Sequence, residues 1–234
     1  MKANVFVSPF FLTKLYLYRN IQRVLNLYSF DGKIMDIGCG VKPYKDLFHK
    51  SKAYEGVDYK LYSQNKEFDS QQPDYFFDKS YSTTLKLPFK DNSYNHSVAF
   101  QVLEHHPNPK KLISEMYRIT RPKGYMFLTV PFMGGIHEEP YDFQRFTEYG
   151  LRELFKDYKC KIIEIHTIGS IFSTISMLLD EHLCDFVNQG GIKKYIGAIV
   201  YIPLFVFQYV CLILDLVFKS KKIIIDYSVV VQKI

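Results

Sequence analysis

The sequence predicts an α/β fold, a parallel sheet with helices on both faces. Three observations carry that reading. Residues 33–44, KIMDIGCGVKPY, join a short apolar run (Ile34, Met35, Ile37), too short for a helix, to the break Gly38-Cys39-Gly40 and then to Pro43, a residue suited to the first turn of a helix. A second short run, 53–57, ends at Asp58, about 20 residues beyond the glycines, where Rossmann-type folds place a carboxylate on ribose hydroxyls. Strand-like and helix-like runs then alternate to residue 167, the pattern of a parallel sheet whose ligands bind beyond the carboxyl ends of its strands.

The glycine turn is expected to offer unpaired N–H groups and the positive end of a helix. A dinucleotide fingerprint needs a third glycine where Pro43 stands. Asp36, just ahead of the turn, would repel a pyrophosphate. It suits a ligand with positive charge, such as an amino-acid ammonium or a sulfonium; the alternative is a plain strand–turn–helix with a structural aspartate.

The 234 residues, 47% of them hydrophobic, suffice for one domain with a sizeable core. A net charge of +6 is weaker than a dedicated nucleic-acid binder carries. Cys39, Cys160, Cys184 and Cys211 lack paired spacing, which points to a reducing compartment and no zinc site.

The elements follow in order. Residues 1–30 carry apolar side chains at helical spacing and read as a lead-in helix over the site or the sheet edge, or as plain core packing. Pro9, Lys14 and the lack of a small-residue cleavage site argue against a signal peptide. A third strand spans 75–77 and ends at Asp78, and a fourth spans 95–100 with Gln101 at its end. Glu104-His105-His106 reads as a base, a metal-ligand set or a loop brace. With no second carboxylate at matching spacing, bracing is favoured and no metal is expected. Asn108 and Pro109 open a helix with a stripe of Leu112, Ile113, Met116 and Ile119. The fifth strand is 125–130, Thr147 caps a short helix to Phe155, and strands at 161–167 and 227–232 complete the set.

The stretches IMDIGCG (34–40), GVDY (56–59), LPFKDNSYN (87–95), QVLEHHPNPKKLISEMYRITRPKG (101–124) and YMFLTVP (125–131), in this order and spacing, resemble the class I S-adenosylmethionine-dependent methyltransferases, in particular the small type 11 domain. The resemblance covers about residues 31–155 and implies a Rossmann-like sheet of seven strands with an antiparallel last strand. It implies that Asp36, Gly38, Cys39 and Gly40 hold the amino-acid end of S-adenosyl-L-methionine. Asp58 would take the ribose hydroxyls, Tyr59 would lie against the adenine, and Gln101 would face the methionine part. The adenine amino group would fall to Asp78 or to backbone near residues 83–85.

The loop 131–151, PFMGGIHEEPYDFQRFTEYGL, gathers titratable groups. Methyl transfer needs positioning, plus a base if the nucleophile is a hydroxyl. His137 is the candidate base, Asp142 or Glu138 its orienting acid, and Arg145 a partner for an anionic substrate group. The alternative is that these charges only solvate a lid. The run HEEPYDFQRFT is similar to one in methyltransferases of bacterial surface-polysaccharide gene clusters. That implies a sugar hydroxyl as acceptor, on a small molecule or saccharide, free or lipid-linked. RNA or protein methylation and a non-catalytic scaffold are the alternatives, with no nucleic-acid partner expected.

Residues 168–225 form a hydrophobic helical insertion before the last strand. The stretch 196–218 is apolar except for Gln208 and Asp215 and is long enough to span a bilayer, and Pro203 is expected to break or kink it. If the strands on either side pair, the chain must return to the side it left, which argues against a single crossing. Soluble packing, a homo-oligomer contact, peripheral contact with the inner face of a membrane and true insertion all remain open, for a protein expected in the cytoplasm.

Overall fold

The computed structural model describes residues 10–59, 72–77 and 86–234. They form two compact units. Asp78 and residues 83–85 lie outside the described residues.

The larger unit, residues 21–131, 137–166 and 227–234, is built on the sheet. Its elements are the C-terminal part of α1 (Phe11–Leu27), β1 (Gly32–Ile37), β2 (Ser51–Tyr59), β3 (Tyr75–Phe77), β4 (His96–Phe100), α2 (Pro109–Ile119), β5 (Tyr125–Pro131), α3 (Glu148–Phe155), β6 (Cys160–Ile168) and β7 (Asp226–Lys233), the last two reaching a residue or two beyond it. The strand order is β3-β2-β1-β4-β5-β7-β6. The first five strands pair in parallel. The end of β7 bonds to the starts of both neighbours, Lys233 N–H to the Gly124 carbonyl and Ile234 N–H to the Lys159 carbonyl, so β7 runs antiparallel between β5 and β6.

The central strands are apolar because both faces are covered. The last four residues of β1, all of β4 and the last six of β5 are buried. The stripe Leu112, Ile113, Met116 and Ile119 of α2 is fully buried, as its spacing predicts. Arg23 of α1 makes a forked ion pair with Glu164 of β6, the edge strand, at 2.5 and 3.2 Å. Strand order reverses between β1 and β4, and such a switch point opens a crevice at the carboxyl ends of the strands.

The smaller unit comprises residues 10–20 of α1 together with 132–136 and 167–226, which hold α4 (Ile171–Asn188) and α5 (Ile192–Val217). Phe11, Leu12, Leu15 and Cys211 form its core. Asp215 of α5 accepts the Phe172 and Ser173 amides at the start of α4, at 3.0 and 3.1 Å, and the Tyr16 hydroxyl at 3.1 Å. A carboxylate is favourable against a helix N-terminus.

Four local expectations are corrected. β2 is longer than predicted, so Asp58 lies within it. No α-helix follows the glycine turn. Residues 38–50 span only about a dozen positions, which is short for turn, helix and return to a parallel strand, and a single 3-10 turn, Lys45–Leu47, does the work. Asn108 sits at the N-cap of α2 but its side chain makes no capping bond; only its backbone N–H is engaged there, donating to His106 Nδ1 at 3.0 Å. Pro203 lies inside an unbroken α5. At Gly197 a Cβ would stand 2.0 Å from Val187, so α4 and α5 meet closely there.

Candidate active site

The crevice beyond β1 and β4 holds a cavity of about 260 Å³ lined by Asp36, Gly38, Cys39, Gly40, Tyr44, Phe100 and Gln101, among others. Gly38 has φ +68°, and a Cβ there would strike Val102 at 2.6 Å. Gly40 has φ +49°, and a Cβ there would meet nothing within 4 Å. The first glycine is needed for packing; the second leaves backbone open to a ligand. The turn does not present free amides as predicted. Gly38 N–H and Cys39 N–H both donate to the Val57 carbonyl, at 2.9 and 3.4 Å, and Gly40 N–H donates to Asp58 Oδ2 at 2.5 Å. With the amides committed and no helix behind them, the turn is a poor phosphate cradle. Its remaining chemistry is acidic.

Asp36 is buried, and burial pushes its carboxyl up to about 7 although the Tyr54 hydroxyl donates to it at 2.6 Å. Asp58 is also buried. Its Oδ1 accepts the Tyr59 amide at 2.6 Å. Burial raises its pKa, the two amides lower it, and Glu138 of the 131–151 loop is near enough to raise it further. Each carboxylate oxygen keeps a second lone pair for a ligand hydroxyl. Lys42, almost fully buried, pairs with Asp74 at 2.9 Å, and Asp74 also accepts the Gly56 amide at 2.7 Å. Gln101 takes φ +55° at the end of β4. Its side-chain Nε2 donates to Thr129 Oγ1 at 3.2 Å and its backbone N–H to the Thr129 carbonyl at 3.0 Å, and the residue lines the cavity. The Tyr59 ring lies 6.1 Å from that of Phe77, side by side at the ends of β2 and β3.

The 131–151 loop is stitched to the turn after β4. Phe143 N–H donates to the Glu104 carbonyl at 3.0 Å, and Gln144 Nε2 to the His106 carbonyl at 2.9 Å. Arg145 grips Asp142 with both terminal nitrogens, at 2.5 and 2.8 Å, and holds that carboxyl down to about 2. Asp142 Oδ2 accepts the His137 amide at 3.0 Å and faces His137 Nδ1 at 3.5 Å. The His137 ring stands edge-on to His105 with centroids 4.8 Å apart. His105 Nδ1 lies 2.8 Å from the Tyr141 carbonyl, and its Nε2 lies 3.7 Å from the fully buried Glu104.

A family described as a methyltransferase domain has a model that matches residues 13–175. The chain belongs to this methyltransferase-domain family. Solved structures of the same fold include the cyclase SpnF (16% identity, TM-score 0.58, covering 92% of this chain and 80% of that one). A candidate sarcosine dimethylglycine methyltransferase from Galdieria sulphuraria is similar to the same degree (16%, TM-score 0.58, 94% and 86%). An S-adenosylmethionine-dependent methyltransferase from Thermotoga maritima, described as a possible histamine N-methyltransferase, also matches (13%, TM-score 0.53, 93% and 89%). At these identities the likeness is one of fold. No curated protein sequence matches the chain.

S-adenosyl-L-methionine is the expected cofactor of the methyltransferase, and the cavity suits it. Its lining brings together the buried Asp36 carboxyl and the open Gly40, to which Asp58 is bonded. Of the residues predicted for the cofactor, Asp36, Gly38, Cys39, Gly40 and Gln101 line one cavity, and Asp58 is bonded to its rim. Cys39 serves by packing: its Sγ lies where a Cβ on Gly56 would be, 2.5 Å away, and burial raises its thiol pKa. His137, Asp142 and Arg145 do come together. Asp142, not Glu138, is the acid beside His137, and Glu138 lies 3.9 Å from His105 instead. The sequence reading missed Tyr54, Lys42 and Asp74. It also missed that His137 joins Glu104 and His105, the three offering ligand atoms within 4.8 Å of one another.

Proposed function

We propose that this methyltransferase acts on a hydroxyl of a small molecule or saccharide, with His137 as the base that takes the hydroxyl proton. The observation that carries the reading is the chain Arg145–Asp142–His137. The guanidinium keeps Asp142 ionised. Asp142 fixes the His137 backbone, and the Nδ1 edge of the ring lies 3.5 Å from Asp142 Oδ2 and 3.4 Å from Arg145 Nη2, so the pair holds the ring in place and Nε2 is the nitrogen proposed to accept the hydroxyl proton. Bound S-adenosyl-L-methionine supplies a methyl group activated by its sulfonium. His137 is 44% exposed along its side chain, so the proton it takes has a path to water. Asp36 would hold the cofactor ammonium and Asp58 the ribose hydroxyls. The committed guanidinium makes Arg145 a positioning residue for Asp142 rather than a binder of an anionic substrate group. The likeness of the HEEPYDFQRFT run to methyltransferases of surface-polysaccharide clusters supports a sugar acceptor; the modest net charge counts against RNA.

The Glu104, His105 and His137 set favours a second reading. A divalent cation there would polarise the acceptor hydroxyl, and His137 would be a ligand instead of a base. The Tyr141 carbonyl at His105 Nδ1 orients that ring as a ligand's outer partner would. Methyl transfer from labelled cofactor to a panel of sugar nucleotides and monosaccharides tests the acceptor class. Activity that survives chelation and is lost in His137→Ala supports the base. Activity abolished by chelation and restored by Mg²⁺ or Mn²⁺ supports the cation.

A further inference from the structure

Around the apolar core that α1 supplies, α4 and α5 turn mostly small and polar side chains inward and apolar ones outward. The buried residues of α5 are Gly197, Gln208, Cys211 and Asp215, and those of α4 are Ser173, Thr174, Ser176, Met177 and Asp180. They bond to one another: Gln208 Nε2 donates to Asp180 Oδ1 at 3.3 Å, Gln208 Oε1 accepts the Leu12 amide at 3.2 Å, and Asp215 accepts from α1 and α4. Ile192, Ile199, Ile202, Ile213, Leu216 and Val217 point outward, each 62–74% exposed. Of the most apolar 18-residue window of α5, 17% is buried. Water selects the opposite arrangement. Helices in contact with lipid show this one, with polar side chains turned to the bundle interior.

We propose that the outer face of α5 docks on an anionic lipid bilayer and lies in its headgroup boundary. The charges fit that occupant. Lys193 and Lys194 stand in the first turn of α5, and Lys219, Lys221 and Lys222 follow its end, so cations stand at both ends of the apolar face, where a helix lying along the surface brings both groups to anionic headgroups. Crossing is disfavoured because α4, the partner of α5, carries exposed His182 and Asp185, and because β6 and β7, which bracket the pair, are neighbours in the sheet. A second copy is a poorer occupant, since parallel or antiparallel pairing of two such helices sets lysines against lysines. The proposal is independent of the acceptor and of the catalytic assignment.

Flotation of the full chain tests it, on vesicles of phosphatidylcholine alone and of phosphatidylcholine with about one third phosphatidylglycerol. The wild type is expected to float with the anionic vesicles and far less with the neutral ones. The double variant Ile199→Asp, Ile202→Asp, at exposed positions that folding does not use, is expected to stay at the bottom with an unchanged circular dichroism spectrum. Replacing Lys219, Lys221 and Lys222 by Gln should lower partitioning by roughly fivefold per lysine. A wild type that stays at the bottom with both vesicles overturns the proposal. So does flotation that the double aspartate variant retains, or a detergent-free dimer that the same two substitutions dissolve.

Discussion

Asp36 makes cofactor binding depend on pH in a way that can be calculated. Its carboxyl is pushed up to about 7 by burial, and a cofactor ammonium would pair with the ionised form only. With that pKa the carboxylate is about 50% ionised at pH 7 and about 3% at pH 5.5, so affinity should fall ~16-fold between them, ~1.6 kcal/mol. The ligand amine stays protonated across this range and does not oppose the trend. Calorimetry in two buffers of unlike ionisation enthalpy reads the same event as protons. Binding should release about one proton per cofactor at pH 5.5 and about half a proton at pH 7. Asp36→Asn should flatten the profile and weaken binding at pH 7. The raised pKa also means that the proton stabilises the fold: that stability is complete below the ordinary aspartate value, about 4, and is lost as pH rises through about 7. The Asn variant should therefore have the higher melting temperature at pH 8. An affinity that is flat from pH 5.5 to 7 in the wild type, with no proton released, would refute the pairing of Asp36 with the ammonium.

Three further outcomes are expected. Asp58→Ala should weaken the cofactor by about 1.5–3 kcal/mol for each charge-assisted bond lost; unchanged affinity in a titration would remove Asp58 from the site. His137→Ala should bind cofactor like the wild type and lose about 10²–10⁴ in turnover if His137 is the base, and Asp142→Asn should lose part of the same factor with cofactor affinity unchanged; full activity in both would sink the assignment. Gly38→Ala should destabilise the protein far more than Gly40→Ala. Both pay for a positive φ, about 1–2 kcal/mol, but only Gly38 sets its new methyl against Val102, and equal melting temperatures would contradict this.

What the sequence made legible was what repeats along the chain. Apolar runs at 34–37, 96–100 and 125–131 and the stripe of α2 read directly as buried strands and a helix, and the interval from the glycine turn to Asp58 placed two acids at one crevice. Signals that permit an element without requiring it misled. Pro43 suits a helix start, yet the short span to β2 leaves no room for the helix; Asn108 suits a cap, yet its side chain makes no capping bond. Long-range partners were hidden. Nothing in the chain's order joins Tyr54 to Asp36, Lys42 to Asp74, or His137 to a glutamate and histidine on a turn some thirty residues earlier. The apolar character of 196–218 was plain from composition, but which of its residues turn inward needs the partner helices, and there the few polar ones are the buried ones.

The bond from Gly40 to Asp58 ties the tip of the glycine turn to the end of β2. The groups proposed for the amino-acid half of the cofactor and those proposed for its ribose therefore belong to a single frame. Adenosine and methionine supplied as separate molecules would each give up their own rotational and translational freedom to occupy that frame, while the joined molecule gives it up once. The whole cofactor should thus bind more tightly than the sum of its fragments' free energies, a chelate advantage that cutting this bond would erode even if every direct contact survived.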